Sequence, residues 1–202
     1  MRTASACSTA ADPRKEPAGF ARPAKRFRGA LAAIVLMLAL AAPIHASAQE
    51  YRLDRTRAAL HFEMRQFGVP WRSTFSDFDA TLVFDPARPH DARLRVTIRA
   101  ASLDAGAGTQ TMLRAFEAER HPVIRFVSTR VEPRGASAFR IEGLLTLRGV
   151  TQPIVLDATM SEAAPLTFTA SGAFRRSAFG IDGWPWVSDR VELSIEAPFN
   201  PA

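Results

Sequence analysis

The chain has 202 residues, of which 47% are apolar and 9% aromatic, a composition that suits one ordinary globular domain. Its formal net charge of +6 is concentrated in residues 1–48, which hold seven of the 26 basic residues and two of the 20 acidic ones. The rest of the chain, with 19 basic and 18 acidic residues, is nearly neutral. It has no overall field to attract a polyanion, so a nucleic-acid partner is excluded.

The first residues have the pattern of a secretory signal peptide. Basic residues at 25–28 precede an apolar run at 30–42, and Ala46-Ser47-Ala48 offers a small-x-small cleavage site. The run is shorter than the about 20 residues that a membrane-spanning helix needs, and an uncleaved anchor is the alternative. We therefore predict a signal peptide at 1–48, cleaved after Ala48, and one exported domain at 49–202.

The predicted domain reads as strands almost throughout, because apolar and polar side chains alternate with period two. Leu94, Val96 and Ile98, for example, alternate with arginine and threonine residues. The predicted strands are 59–66, 79–85, 92–100, 123–131, 139–147, 154–160, 166–174 and 190–196.

One segment departs from this alternation and predicts a short helix. In 109–120, Met112, Leu113 and Phe116 recur at helical spacing, with Thr109 as a candidate cap. About eight strands at short spacing, with one inserted helix, indicate an all-β domain that is an antiparallel sandwich or barrel.

Patterns typical of catalysis and metal binding are missing from the domain. Its histidines, His61, His90 and His121, lack the paired spacing of metal ligands, and a metal site assembled from distant strands is the remaining alternative. The single cysteine, Cys7, lies in the leader, and no G-x-S-x-G nucleophile motif occurs. The glycine-rich stretch at 106–108 lacks the lysine of a phosphate-binding loop and reads as a turn. We therefore predict no enzyme activity, no catalytic residue, no metal and no cofactor.

The apolar faces of the strands are more informative. They carry large aromatic residues that either fill the core or line a cavity, since an eight-stranded barrel can be filled by side chains or hold one small ligand. Small residues on faces predicted to point inward leave room among the large ones and favour a cavity: Gly143, Ala158, Ala170 and Gly172.

Short motifs along the whole predicted domain resemble those of one family. The most specific are PVIRFVST at 122–129 and IEGLLTLRGVTQPI at 141–154, which contains a G-x-L-T-[IL]-[RK]-G-V-T-x-P hairpin. RSAFGI at 176–181 and DRVEL at 189–193 are similar to the segments R-x-x-F-G-[IV] and D-x-V-x-[IL]. Together with YRLD at 51–54, these residues resemble the YceI-like family of polyisoprenoid-binding periplasmic proteins.

The resemblance implies a periplasmic, antiparallel up-and-down (lipocalin-like) barrel of eight strands that holds an isoprenoid lipid, such as a quinone or a polyprenyl chain. Ligand contacts are then expected from inward apolar side chains and, at the mouth, from two polar residues. The expected ligand-binding residues are Leu60, Phe62, Met64, Gln66, Phe84, Val96, Ile98, Arg114, Phe126, Phe139, Phe168 and Phe174.

The sequence departs from the family pattern at several polar positions. Where many members have a His-Ser pair and a second histidine, this chain has Arg57-Ala58 and Gln66, and QTMLR at 110–114 replaces Arg-Asp-x-His-Leu. These departures resemble a subgroup found beside cytochrome b561-type membrane proteins, which implies a quinone-linked partner; a homodimer is left open. The alternative function is a ligand-free interaction or stress-response barrel. It would act through a surface patch such as Trp184-Pro185-Trp186, a segment that otherwise reads as a plug over the barrel mouth.

Overall fold

The structure, a computed structural model, describes residues 48–161 and 165–202. The predicted signal peptide, apart from Ala48, lies outside these residues. Within them are eleven strands, one α-helix (α1, Thr109–Ala115) and short 3-10 turns at Pro89–Asp91, Ala100–Ser102, Gly106–Gly108 and Arg176–Phe179. The strands are β1 (Gln49–Leu53), β2 (Ala59–Gln66), β3 (Val69–Phe75), β4 (Phe78–Phe84), β5 (Arg93–Arg99), β6 (Leu103–Asp104), β7 (Val123–Pro133), β8 (Ala138–Leu147), β9 (Val150–Met160), β10 (Leu166–Arg175) and β11 (Arg190–Pro201).

Eight of these strands close into an antiparallel barrel. In hydrogen-bonding order they are β1, β4, β5, β7, β8, β9, β10 and β11, and β1 closes the ring by pairing with both β4 and β11. Every other neighbouring pair in the ring is also antiparallel. The predicted eight-stranded antiparallel barrel with one short helix is confirmed for the described part of the chain.

The remaining strands, β2, β3 and β6, form a branch at one end of the barrel. The long strand β11 pairs with β1 near Phe199 and with β2 between Glu192 and Glu196. The same edge of β11 is therefore paired with β1 along one part of its length and with β2 along another. β3 pairs with β2, and the two-residue β6 pairs with β3. The sequence pattern missed β1, β3 and β6, because β1 and β3 are largely exposed along much of their length and show no clear alternation.

The helix α1 is shorter than the predicted 109–120. Glu117 has a φ of +49°, a left-handed conformation that a helix does not continue through. Thr109 is the first helical residue rather than the cap. Its hydroxyl accepts a hydrogen bond from the Ala105 backbone N–H at 2.9 Å and donates one to the Gly106 carbonyl at 2.8 Å, so it orders the loop before the helix.

One end of the barrel, here called the helix end, carries α1, two hairpin turns and the segment 180–189. Arg148, in one of these turns, joins the residues after α1 to the segment 180–189: its Nε donates to the Glu117 carboxylate at 2.8 Å, and its Nη1 donates to the Gly180 carbonyl. Both hairpin turns, Phe67-Gly68 and Arg148-Gly149, have two successive residues with positive φ, as a type I′ turn requires. The opposite end, here called the far end, carries the loops at 85–92 and 134–137.

Inward side chains from the ring form one apolar core. Aromatic rings gather at both ends of it, with centroids 5.5–6.5 Å from a neighbouring ring, a spacing that is favourable for tilted and edge-to-face pairs. The far-end cluster is Phe84, Phe139, Phe168 and Phe199, and the helix-end cluster is Phe62, Phe75 and Phe116. No helix within the described residues has the length and apolar character needed to cross a bilayer.

Candidate ligand-binding site

The interior of the barrel encloses a cavity of about 150 Å³. Its wall takes side chains from all eight ring strands, from β2 and β3, and from Met112 of α1. Among the described residues that line it, Arg176 alone carries a charge. Such a cavity has the size of an engineered protein cavity that takes up benzene, so in this state it accommodates a group of about one ring.

Ten of the twelve predicted ligand-binding residues line this cavity: Leu60, Phe62, Met64, Phe84, Val96, Ile98, Phe126, Phe139, Phe168 and Phe174. Their contact with a ligand stays a prediction. Gln66 and Arg114 are not among the lining residues. Gln66 ends β2, where it pairs with Val69 and bridges to Val187, and Arg114 is exposed on α1.

The small residues that were predicted to leave room behave in two ways. Ala158 and Ala170 do line the cavity. At Gly143, however, a Cβ would lie 2.4 Å from the Phe126 ring, and at Gly172 it would lie 2.6 Å from Leu156 Cδ2. The prediction was wrong for the two glycines, because neighbouring side chains already occupy the space that they leave.

Arg176 belongs to the RSAFGI motif, but the sequence pattern does not predict its position in the cavity wall. It follows β10 in a 3-10 turn, where no periodicity indicates which side chains point inward. The guanidinium is buried and donates to four backbone carbonyls, those of Ile181, Trp184, Val187 and Ser188. It also lies over the Trp184 ring, 5.8 Å from the centroid. Arg176 therefore fastens the segment that covers the helix end of the cavity.

Two carboxylates hold the same end of the barrel in place. Asp189 accepts hydrogen bonds from the Ser177 backbone N–H and hydroxyl, both at 2.9 Å, and the backbone bond above all lowers the pKa of its carboxyl. The hydrogen bond from Arg148 is the main cause that lowers the pKa of Glu117. Both groups are therefore held ionised and act as structural anchors.

The segment Trp184-Pro185-Trp186 has features of both predicted roles, a plug over the barrel mouth and a surface patch. Trp184 lines the cavity and packs against Arg176, as a plug would. Trp186 is exposed and stacks on Phe67 with a centroid distance of 6.0 Å and an interplanar angle of 12°. The segment thus connects the inside of the barrel to its surface.

A second hollow lies on the outer face of β4 and β5, and it is lined by charged residues. Asp77 there pairs with Arg55 and, at 3.0 Å, with Arg99. Because Asp77 is already paired with two arginines and the hollow is open to solvent, the hollow is a weaker candidate for a ligand site than the interior. Among the described residues, no group of three histidine, cysteine, aspartate or glutamate side chains could hold a metal ion.

Comparison with known proteins agrees with this geometry. The profile of the YceI-like domain matches residues 51–199, which is nearly the whole of the described barrel. The chain belongs to the YceI-like family. Over 182 residues it is 30% identical to a UPF0312 protein of Pseudomonas savastanoi pv. phaseolicola, an alignment that covers 82% of this chain and 93% of that protein.

Solved structures show the same barrel. Burkholderia cenocepacia BcnA superposes on this YceI-like chain with a TM-score of 0.68 at 26% identity, covering 72% of this chain and 98% of that one. A polyisoprenoid binding domain from Saccharophagus degradans, implicated in plant cell wall breakdown, superposes with a TM-score of 0.59. It covers 75% of this chain and 98% of its own at 14% identity, so this likeness concerns the fold.

Proposed function

We propose that the protein binds an isoprenoid lipid inside its barrel and carries it in the periplasm. The observation that carries this proposal is the apolar cavity of about 150 Å³, whose described wall holds a single charged residue, Arg176. A wall of this kind offers an alkyl or isoprenoid chain nothing but dispersion contacts and release from water. It offers a charged or strongly polar ligand few partners.

The energetics support a lipid chain as the ligand. Burial is worth about 0.8 kcal/mol per methylene, so a five-carbon isoprene unit contributes about 3–4 kcal/mol before ordering costs. A few units are enough for tight binding without any catalytic group. The polyisoprenoid binding domain with the same fold supports the choice of ligand class.

A quinone is the form of isoprenoid ligand that we propose first. The free energy of binding comes from its tail. Arg176, at the helix end, is the charged residue among the described residues that line the cavity, so we propose it as the hydrogen-bond donor to a quinone carbonyl. Four guanidinium hydrogen bonds to backbone carbonyls leave one N–H of Arg176 without a partner among these bonds. A cytochrome b561-type membrane partner and a homodimer stay predictions, as do export and cleavage after Ala48.

Native mass spectrometry of the protein purified without detergent tests the proposal. A bound mass at one per chain, which organic extraction releases as an isoprenoid, is the expected result. An unliganded mass that persists after incubation with quinones and polyprenyl lipids would refute lipid carriage and favour the ligand-free interaction barrel.

A pair of variants on β9 locates the site. Ala158→Leu adds three carbons to the cavity wall, and the expected result is a large loss of bound lipid in a folded protein. Thr159→Leu adds apolar bulk to the adjacent residue, which is exposed, and should retain wild-type lipid. Ala158 is a better site than Gly172, where a Cβ would also lie 2.7 Å from the Val155 backbone carbonyl. Equal lipid content in the two variants would place the ligand outside the cavity.

A further inference from the structure

The most exposed large apolar side chains of the described chain lie together at the helix end. Phe67, Val69 and Trp186 are 75%, 65% and 55% exposed, and together they are here called the aromatic tip. Phe67 is the first residue of the β2–β3 hairpin turn, Val69 begins the strand that follows the turn, and Trp186 stacks on Phe67. Apolar side chains that gather on an exposed surface mark a contact with another apolar body.

The aromatic tip is held rigidly. The Phe67 backbone N–H donates to the Trp186 carbonyl at 2.9 Å, and Gln66 bridges to Val187. One residue further on each side, the Ser188 N–H donates to the Arg65 carbonyl at 2.7 Å. These bonds tie the hairpin to the segment that covers the cavity, so the exposed rings are presented in a fixed arrangement.

Phe67 occupies a position that disfavours phenylalanine. Its φ is +51°, in the left-handed region where asparagine or glycine is the usual residue of a type I′ turn. Arg148 has the same conformation in the other hairpin turn, but its side chain has internal partners, Glu117 and Gly180. Among the described residues the Phe67 ring, in contrast, stacks on Trp186 alone, and Trp186 is itself exposed. A bulky residue that adopts a strained backbone conformation, and whose side chain makes few contacts within the fold, points to a function other than stabilising the fold.

We infer that the aromatic tip inserts into the surface of a lipid bilayer and so places the cavity where its lipid is exchanged. This inference rests on the proposed function, because a water-insoluble isoprenoid must be collected from one bilayer and delivered to another. Tryptophan and phenylalanine rings are suited to the boundary between head groups and acyl chains. The tip is also connected to the cavity through the chain, since Trp184, two residues before the exposed Trp186, lines the cavity wall.

The charge beside the tip agrees with a bilayer that contains anionic lipid. Arg65 is exposed next to the hairpin turn, and its guanidinium donates to the Gly68 carbonyl at 3.4 Å. Among the described residues no carboxylate forms an ion pair with it. A cation at this position can contact a phosphate while the rings enter the apolar layer.

Vesicle flotation tests the inference with the purified protein and vesicles of phosphatidylethanolamine and phosphatidylglycerol. Phe67→Asn removes the ring and puts a residue suited to positive φ in its place, so the variant should fold at least as stably as the wild type. We expect its partition to the vesicles to fall about tenfold or more. Leu144→Asn is the matched control: Leu144 is exposed on the barrel wall opposite Val127, away from the tip, and its loss should change little.

Flotation of Phe67→Asn at the wild-type level would overturn the inference. So would a wild-type protein that does not float, or a dimer that Phe67→Asn dissociates while vesicle binding stays unchanged, because the tip would then contact a second copy. Native mass spectrometry separates this inference from the proposed function. A Phe67→Asn protein that retains its lipid but fails to float supports the aromatic tip, whereas a wild type that floats without ever holding lipid refutes carriage alone.

Discussion

Replacing Arg176 by methionine should destabilise the barrel more than any neutralisation of a surface charge. The side chain is buried, and its guanidinium donates to the carbonyls of Ile181, Trp184, Val187 and Ser188. Methionine replaces the apolar stem of arginine as far as Nε, so the change removes the hydrogen bonds while it keeps the packing of that stem.

The magnitude follows from the four carbonyls that lose their donor. A buried acceptor left unpaired costs about 1–3 kcal/mol, and because the segment is near the surface we take the lower figure for each, about 4 kcal/mol in all. Burial of the methionine side chain offsets about 1 kcal/mol of this. We therefore expect the free energy of unfolding to fall by about 3 kcal/mol, a large share of the stability of an ordinary domain.

Urea unfolding followed by circular dichroism measures this difference. Arg175→Met is the control, since Arg175 is the exposed neighbour and its replacement should change the free energy of unfolding by no more than about 0.5 kcal/mol. A loss below about 1 kcal/mol in Arg176→Met, similar to the control, would contradict the reasoning. It would mean that water or a rearranged segment satisfies the carbonyls as well as the guanidinium does.

Two further predictions concern packing and pH. Gly143→Ala should lower the free energy of unfolding by about 1–3 kcal/mol in the same urea assay, because its Cβ would lie 2.6 Å from the Val127 carbonyl as well as against the Phe126 ring; a neutral effect would show that β7 shifts freely. The contribution of Asp54 to stability should be present above about pH 4 and be lost as the pH falls towards 2, since hydrogen bonds from Thr56 and Arg57 lower the pKa of Asp54 from 3.8 to about 2. The folded state thus favours the carboxylate, and an Asp54→Asn protein should show a shallower decline between these pH values in acid-titration fluorescence.

The barrel could be predicted because a strand with one solvent-exposed face shows apolar and polar residues in alternation, with a period of two. Leu94, Val96 and Ile98 in β5 carry it, and so do the long strands β8 and β11. β1 lacks it, since the strand is only five residues long and buries little besides Leu53. β3 lacks it as well, because it extends beyond the ring and its first half is exposed. Period alone could therefore count the strands of the ring but not decide that β1, rather than β2, closes it.

The apolar residues of the cavity wall could be predicted for the same reason, whereas its charged residue, Arg176, could not. Side chains on the buried face of a ring strand point inward, which is why Phe126 and Phe168 line the cavity. Arg176 reaches the wall from a turn after β10, where the path of the backbone and not an alternation sets the direction of the side chain. The same limit explains Gln66 and Arg114, whose strand end and exposed helix face lie outside the regular part of the barrel.

A cavity of about 150 Å³ is smaller than an isoprenoid of several units, so a bound lipid requires the interior to widen. The closed ring resists this, because each ring strand is hydrogen-bonded on both sides. The helix end resists it less: α1 has seven residues, too few to be stable without packing, and Met112 anchors it in the wall. Met64 and Met112 are flexible side chains that can repack around a chain of carbons. Widening is therefore easiest beneath α1 and the β2–β3 hairpin, the hairpin whose turn carries the aromatic tip.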